Sequence, residues 1–181
     1  MADNSCTLKL HVTEFGRVAD MIGFLTAVDK AYLSLCTLDW IVYFNDHEED
    51  AGERKSDEAR YAWLKRAAVQ RIEGIGLHMS LGSINLKELF EFIPKVFEEL
   101  CKFILNMIDK HRERTPHKIE VERLARANTQ EKIDWIKQSN SFTSEEKKLM
   151  EKELILDPLC NVATTYDKVK VNIRSAELTR E

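Results

Sequence analysis

Apolar residues recur at a strict three-four spacing from Leu86 to Ile108. Leu86, Leu89, Ile93, Val96, Leu100, Phe103 and Met107 form one stripe, and Phe97, Cys101, Ile104 and Ile108 form a second beside it. A helix with two apolar faces has to be covered from two sides. Lys87, Glu88, Glu91, Lys95, Glu98, Glu99 and Lys102 interrupt the run, so it lacks the ~20 mostly apolar residues of a membrane span. Pro94 deletes a backbone donor and would clash with the carbonyl of Phe90, which predicts a kink or restart with a short helix before it and a longer one after.

Elsewhere the periods alternate between two and 3.6. Leu8, Leu10 and Val12 oppose Thr7, Lys9 and His11, the pattern of a half-buried strand. From Glu14 the spacing of Phe15, Val18, Ile22, Leu25, Tyr32 and Leu35 predicts a helix to about Cys36, capped by Thr13. Leu38 to Phe44 suits either a continuation of that helix or a strand, with helix favoured. Asn45 to Asp57 offers no apolar surface and reads as a solvated loop, followed by a short helix over Glu58 to Ala67. Val69 to Leu81 alternates again and predicts a strand ending at Gly82, after which Asn85 and Glu88 have the spacing of a capping box. Thr115-Pro116 predicts a helix start that runs through about Gln138, weakened at Asn128-Thr129. Thr143 and Glu146 form a second box opening a helix to about Leu156, Asp157-Pro158 starts a last helix, and the tail after Asn172 is expected to be loose.

Composition narrows the class. The 181 residues are 44% hydrophobic and 32% charged, which excludes a disordered chain, and 6 Gly with 3 Pro leave little punctuation for a many-stranded fold. Cys6, Cys36, Cys101 and Cys160 are widely spaced with no C-x-x-C pair, against a disulfide framework or thiolate metal site. The start MADNSCTLKL has neither a basic nor an apolar leader region, so a cytoplasmic location is expected. A net charge of -4 with interspersed signs supplies no global attraction to nucleic acid or anionic lipid.

Candidate chemistry is sparse. The chain carries no GxGxxG, no phosphate-binding loop, no H-E-x-x-H and no G-x-S-x-G. His11 and His78 lie on the polar faces of the two expected strands and, with Ser83, mark a candidate ligand site at the sheet face. Lys110, Arg112, Arg114 and Lys118 belong to the one concentrated basic region, a candidate phosphate-binding surface. Asp109, Glu113, Glu120 and Glu122 are threaded through it, so a solvated, salt-bridged connection is the favoured reading and nucleic acid is not an expected partner. His111 and His117 flank Thr115-Pro116 and read as a surface turn. No metal site and no cofactor are expected.

The block from Ile72 to Ser83, a strand ending in Gly82-Ser83 and running into an apolar helix broken at Ile93-Pro94, resembles small bacterial proteins of unassigned function. The resemblance covers roughly Leu8 to Ile108, and Ile84 stands where that pattern has proline. Some members sit beside bacterial conflict and signalling components, so the resemblance implies an adaptor or assembly role. It carries no functional residue across.

Together these readings predict a predominantly α-helical α+β domain: residues 1–112 a small sheet plus helices, and residues 113–181 a helical extension packed as part of one domain. The expected function is a non-enzymatic interaction or assembly protein that self-associates, or engages a protein partner, through Leu86, Phe90, Ile93, Phe97, Leu100, Ile104 and Met107. The alternatives are a ligand-sensing or catalytic pocket near His11 and His78, and nucleic-acid binding through residues 110–126. The two apolar stripes could equally be spent inside one monomer.

Overall fold

The computed structural model describes residues 6–12, 18–73, 77–80, 84–88, 94–170 and 173–180. Its organising element is helix α1, Val18–Asp46, a 29-residue rod with apolar residues around its whole circumference. Such a helix has to be buried from several directions. Around it pack α2 (Arg60–Ile72), α3 (Pro94–Glu113) and α7 (Asp157–Val169). Phe24 of α1 meets Tyr166 of α7 with ring centroids 5.7 Å apart, and Tyr32 meets Phe97 of α3 edge-on at 6.2 Å. Aromatic pairs at such separations add to area burial. Thr37 is buried on the same rod, and its hydroxyl donates to the Leu33 carbonyl at 2.8 Å, which satisfies it within the helix.

By length and composition α1 could cross a membrane, alone among the described helices, and 56% of its most apolar window is buried within this fold. The helix runs straight through Leu38 to Phe44 and ends at Asp46; a 3-10 turn over Glu48–Ala51 follows, inside the segment expected to be loop.

Three helices complete the framework. These are α4 (Lys118–Asn128), α5 (Gln130–Gln138) and α6 (Ser144–Glu151). The chain breaks between α4 and α5 at Thr129, whose buried hydroxyl donates to the Ala125 carbonyl at 2.8 Å. Thr143 caps α6 by accepting from the Glu146 amide at 3.2 Å, and the Glu146 carboxylate accepts in return from the Thr143 amide at 2.9 Å. Both halves of the expected capping box are present. The α4 start departs from expectation. His117, rather than Thr115, precedes the first helical residue, and its amide donates to the Glu120 side chain at 2.9 Å.

A π-helical turn, Lys152–Leu156, joins α6 directly to α7, so Asp157-Pro158 lies within a continuous helical path instead of opening a separate one. Pro158 cannot donate to the carbonyl four residues back, and a widened turn just before it accommodates the lost bond. The turn also separates two carboxylates. Glu151 reaches Arg126 of α4 at 2.8 Å, while Glu153 reaches Lys65 at 2.6 Å and the Tyr61 hydroxyl at 3.0 Å on α2. Leu154 and Ile155, in the same turn, are buried.

The fold class is therefore mostly all-α, which corrects the expectation of an α+β domain built on a small sheet: helix packing on helix makes up most of the described core. Extended backbone at β1 (Cys6–Val12), β2 (Leu77–Ser80), β3 (Ile84–Glu88) and β4 (Ile173–Arg180) pairs antiparallel in the order β2-β3-β1-β4. Where burial is described in these segments, Leu10 and Ile173 are part of the core and Ala176 packs against it.

Particular boundaries move as well. Val69 to Ile72 belongs to α2, not to a strand. Asn85 and Glu88 lie in β3 and cap no helix. The segment after Asn172 is paired against β1 instead of loose. The 112/113 division falls in the last turn of α3, and residues from both sides of it share one hydrophobic core.

Candidate functional site

The residues singled out from the sequence are not brought to one place. Leu86 lies in β3, in register with Leu8 and Met79, instead of on a helix; Phe90 and Ile93 fall outside the described residues. Phe97, Leu100, Ile104 and Met107 are on α3, each at 0% exposure in the core of a single chain. Both stripes of α3 are thus spent internally, because Val96, Cys101, Phe103 and Ile108 are buried too. A second copy could not reach these side chains without opening the fold.

His11 and His78 are also apart. His78 is in register with Lys87, which is in register with Thr7, so the two histidines sit two strands and four residues from one another. At strand spacings of about 4.8 Å and rises of about 3.3 Å that is roughly 16 Å between backbones. Ser83 lies outside the described residues.

The basic region is laced with acids. Arg112 pairs with Asp109 at 3.2 Å, Arg114 with Glu120, and Lys118 with Glu122 at 3.9 Å. The His117 amide is the leading cause holding the Glu120 carboxyl below its usual range, and the charges of Arg114 and Lys110 add to it.

What the fold does assemble is a cleft of about 450 Å3 between the end of α3, the α3–α4 connection and α7. His111, on the last turn of α3, forms part of its wall with a side chain only 3% exposed. Neither ring nitrogen has a hydrogen-bond partner. Burying such groups unpaired costs about 1–3 kcal/mol, so a buried imidazole without partners is an exception that calls for a reason. Nδ1 faces Oδ1 of Asp167 at 3.7 Å, beyond hydrogen-bond reach, and the ring lies edge-on to Tyr166 at 5.1 Å. Burial holds His111 below its ordinary pKa; Asp167 pulls it up and Lys170 pushes it down. The imidazole is neutral at pH 7.

Asp167 is held by other partners. Lys170 donates to it at 2.6 Å and to the Thr115 hydroxyl at 2.9 Å, and Lys170 keeps the Asp167 carboxyl below its usual range. This triangle ties the α3–α4 connection to the end of α7. Thr164, Asn161 and Asp157 add polar groups along α7, Lys118 adds an ammonium, and Pro116, Val121 and Ala163 supply apolar wall. Cys160 also lines the cleft, but burial pushes its thiol up, away from the thiolate a nucleophile needs.

His111 is expected from the sequence on a surface turn; its side chain is instead buried at the end of α3. The available signal was its position: His111 follows Met107 by four residues and Ile104 by seven, which puts it on the same face as the buried stripe. Among the described residues no cluster of three or more His, Cys, Asp or Glu side chains could hold a metal ion. Compared with known protein families, with curated proteins and with solved structures, the chain matches none.

Proposed function

We propose that this protein is a non-enzymatic binding protein that holds a small polar ligand in the cleft at His111. The carrying observation is the nearly fully buried imidazole with both nitrogens unpartnered, set in a concave wall where polar and apolar groups converge. Binding is favoured over catalysis because the cleft's hydroxyls are engaged elsewhere. Thr164 donates to the Cys160 carbonyl at 2.9 Å, and Thr115 receives Lys170; neither is a hydrogen-bond partner of His111. A nucleophile and its base need that contact.

Ligand-observed NMR on the full chain tests this reading, using a panel of ribose, erythritol, glycine, acetate and ethylamine. Saturation transfer to at least one member, lost in Asn161→Leu, supports it; Asn161 is exposed on α7, so the substitution leaves the core intact. No transfer to any of the five, or transfer unaffected by the substitution, would overturn it.

A further inference from the structure

We propose that His111, Asp167, Lys170 and Thr115 form an acid-sensitive latch: when the imidazole takes up a proton, Asp167 is drawn from Lys170 to His111, and the α3–α4 connection is released from the end of α7. A contest for one oxygen sets it up, whether or not the cleft holds a ligand. Oδ1 of Asp167 accepts from Lys170 at 2.6 Å and from the Thr115 hydroxyl at 3.5 Å, and it faces Nδ1 of His111 at 3.7 Å. Lys170 also donates to Thr115 at 2.9 Å, so its departure from Asp167 loosens the tie between the connection and the helix.

Neither ring nitrogen has surface open to solvent or a hydrogen-bond partner. A proton therefore reaches the ring only when the packing around it opens, which couples protonation to movement. Once charged, the ring needs an acceptor, because an ion buried without a partner costs far more than a neutral imidazole. Asp167 is the carboxylate whose charge acts on the ring, and Lys170 is the cation that opposes it; both come from α7. Two cations then compete for one carboxylate. The Lys170 side chain is 33% exposed, so its ammonium is the one that water can take over. The ring cannot close the gap alone, since it packs edge-on to Tyr166 of the same α7, against which Phe24 of α1 also lies. Closing it shifts the end of α7 relative to α3, and Thr115 and Pro116, which wall the cleft, are freed to move with the connection. The remaining titratable groups nearby stay as they are. Burial pushes up the Tyr166 phenol, on which Arg112 and Asp109 act, and the Cys160 thiol, while Lys118 has Glu122 at 3.9 Å.

Two-dimensional amide NMR of the full chain from pH 7.5 to 4.5 tests the latch, with circular dichroism to follow helix content. The expected result is one step below pH 6.5 shared by Thr115, Asp167 and Lys170, with faster amide exchange over residues 161–170 and helix content kept. Asp167→Asn should move the step to lower pH and Lys170→Met to higher pH, each by about one pH unit, because opposite and like charges act on the ring with opposite signs. His111→Phe should abolish the step. His117→Asn, at the exposed residue that heads α4, should leave it in place. Glu99, whose carboxyl burial raises, sits beside Lys132 twelve residues earlier on the chain, so its proton registers on different amides. A step that persists in His111→Phe, shifts of the same sign in the two charge variants, or no step down to pH 4.5 would overturn the latch. Loss of helix content at the same pH as the amide step would overturn it too, since the event would then be unfolding of the whole chain. Should His111→Phe fail to fold, the opposed signs of Asp167→Asn and Lys170→Met decide the matter.

Discussion

Nδ1 of His111 lies 3.7 Å from Oδ1 of Asp167, close enough to feel its charge and too far to share its proton. Asp167 is instead hydrogen-bonded to Lys170, so the carboxylate is satisfied and the imidazole is not. This mismatch makes the end of α7 a place where protonation and ligand occupancy both have something to act on.

The first consequence is a pH dependence with a definite sign. His111 has an ordinary value near 6.5 when unfolded, and burial lowers it in the folded chain. As pH falls through 6.5 the unfolded state takes up the proton first, so stability attributable to this residue is present above that value and lost below it. Urea unfolding at pH 7.5 and 5.5 should show lower stability at 5.5, and His111→Phe should flatten the difference. Equal pH dependence in the two proteins would contradict the assignment. Asp167, whose pKa Lys170 lowers, loses its contribution only at more acidic pH, below about 3.8, and so does not confuse the comparison.

Lys132 of α5 is 8% exposed and bridges Asp39 of α1 to Glu99 of α3, the latter at 3.3 Å. Burial raises the Glu99 carboxyl and Lys132 opposes that shift. Lys132→Met would leave two carboxylates facing each other without their cation, and a cost of about 3–5 kcal/mol is expected from urea unfolding. The triple variant Asp39→Asn, Glu99→Gln, Lys132→Met should recover part of that loss. A single substitution costing less than about 1 kcal/mol would show that the triad is not buried as described.

The capping box on α6 offers a smaller, cleaner effect. Thr143→Ala should destabilise by about 1 kcal/mol. Glu146→Ala should cost more, because the same carboxylate also accepts from the Tyr61 amide at 2.9 Å and so ties α6 to α2. Equal losses in the two variants would mean that the Tyr61 contact contributes nothing.

Phe97 and Ile104 distinguish an internal core from an assembly seam. Truncating a buried phenylalanine costs about 3–5 kcal/mol, and a glutamate there adds an unpaired charge. Phe97→Glu with Ile104→Glu should therefore unfold the chain, read by circular dichroism and light scattering together. Folded particles of smaller mass would instead place these side chains at a contact between copies.

Where periodicity and capping chemistry act locally, the sequence was informative. The Thr143–Glu146 box, the weakness at Asn128-Thr129 and the helical stripe of α3 are all decided within a few residues. Longer-range effects were not legible. Leu38 to Phe44 is β-branched and aromatic, yet it stays helical because it continues a rod that neighbours bury from several sides. Leu86 continues the α3 spacing, but Pro94 is the first helical residue, so the stripe carries on past the true helix start into extended backbone. Two alternating segments suggested that a sheet organises the domain; the core is decided by helix packing, which a period of two in short segments cannot reveal. The site was hidden for a related reason. His111 is buried by Tyr166 and Asp167, more than fifty positions away, and only the packing of α7 against α3 shows it.

The most direct measurement is a long-range proton–nitrogen NMR titration of the His111 ring in the full chain, repeated with a saturating concentration of the panel member that shows saturation transfer. A neutral ring that resists protonation below pH 6.5 when free, with ring-nitrogen resonances that shift when that ligand is added, is the predicted result. A ring that titrates at the ordinary histidine value and does not respond to that ligand would contradict the proposed binding role.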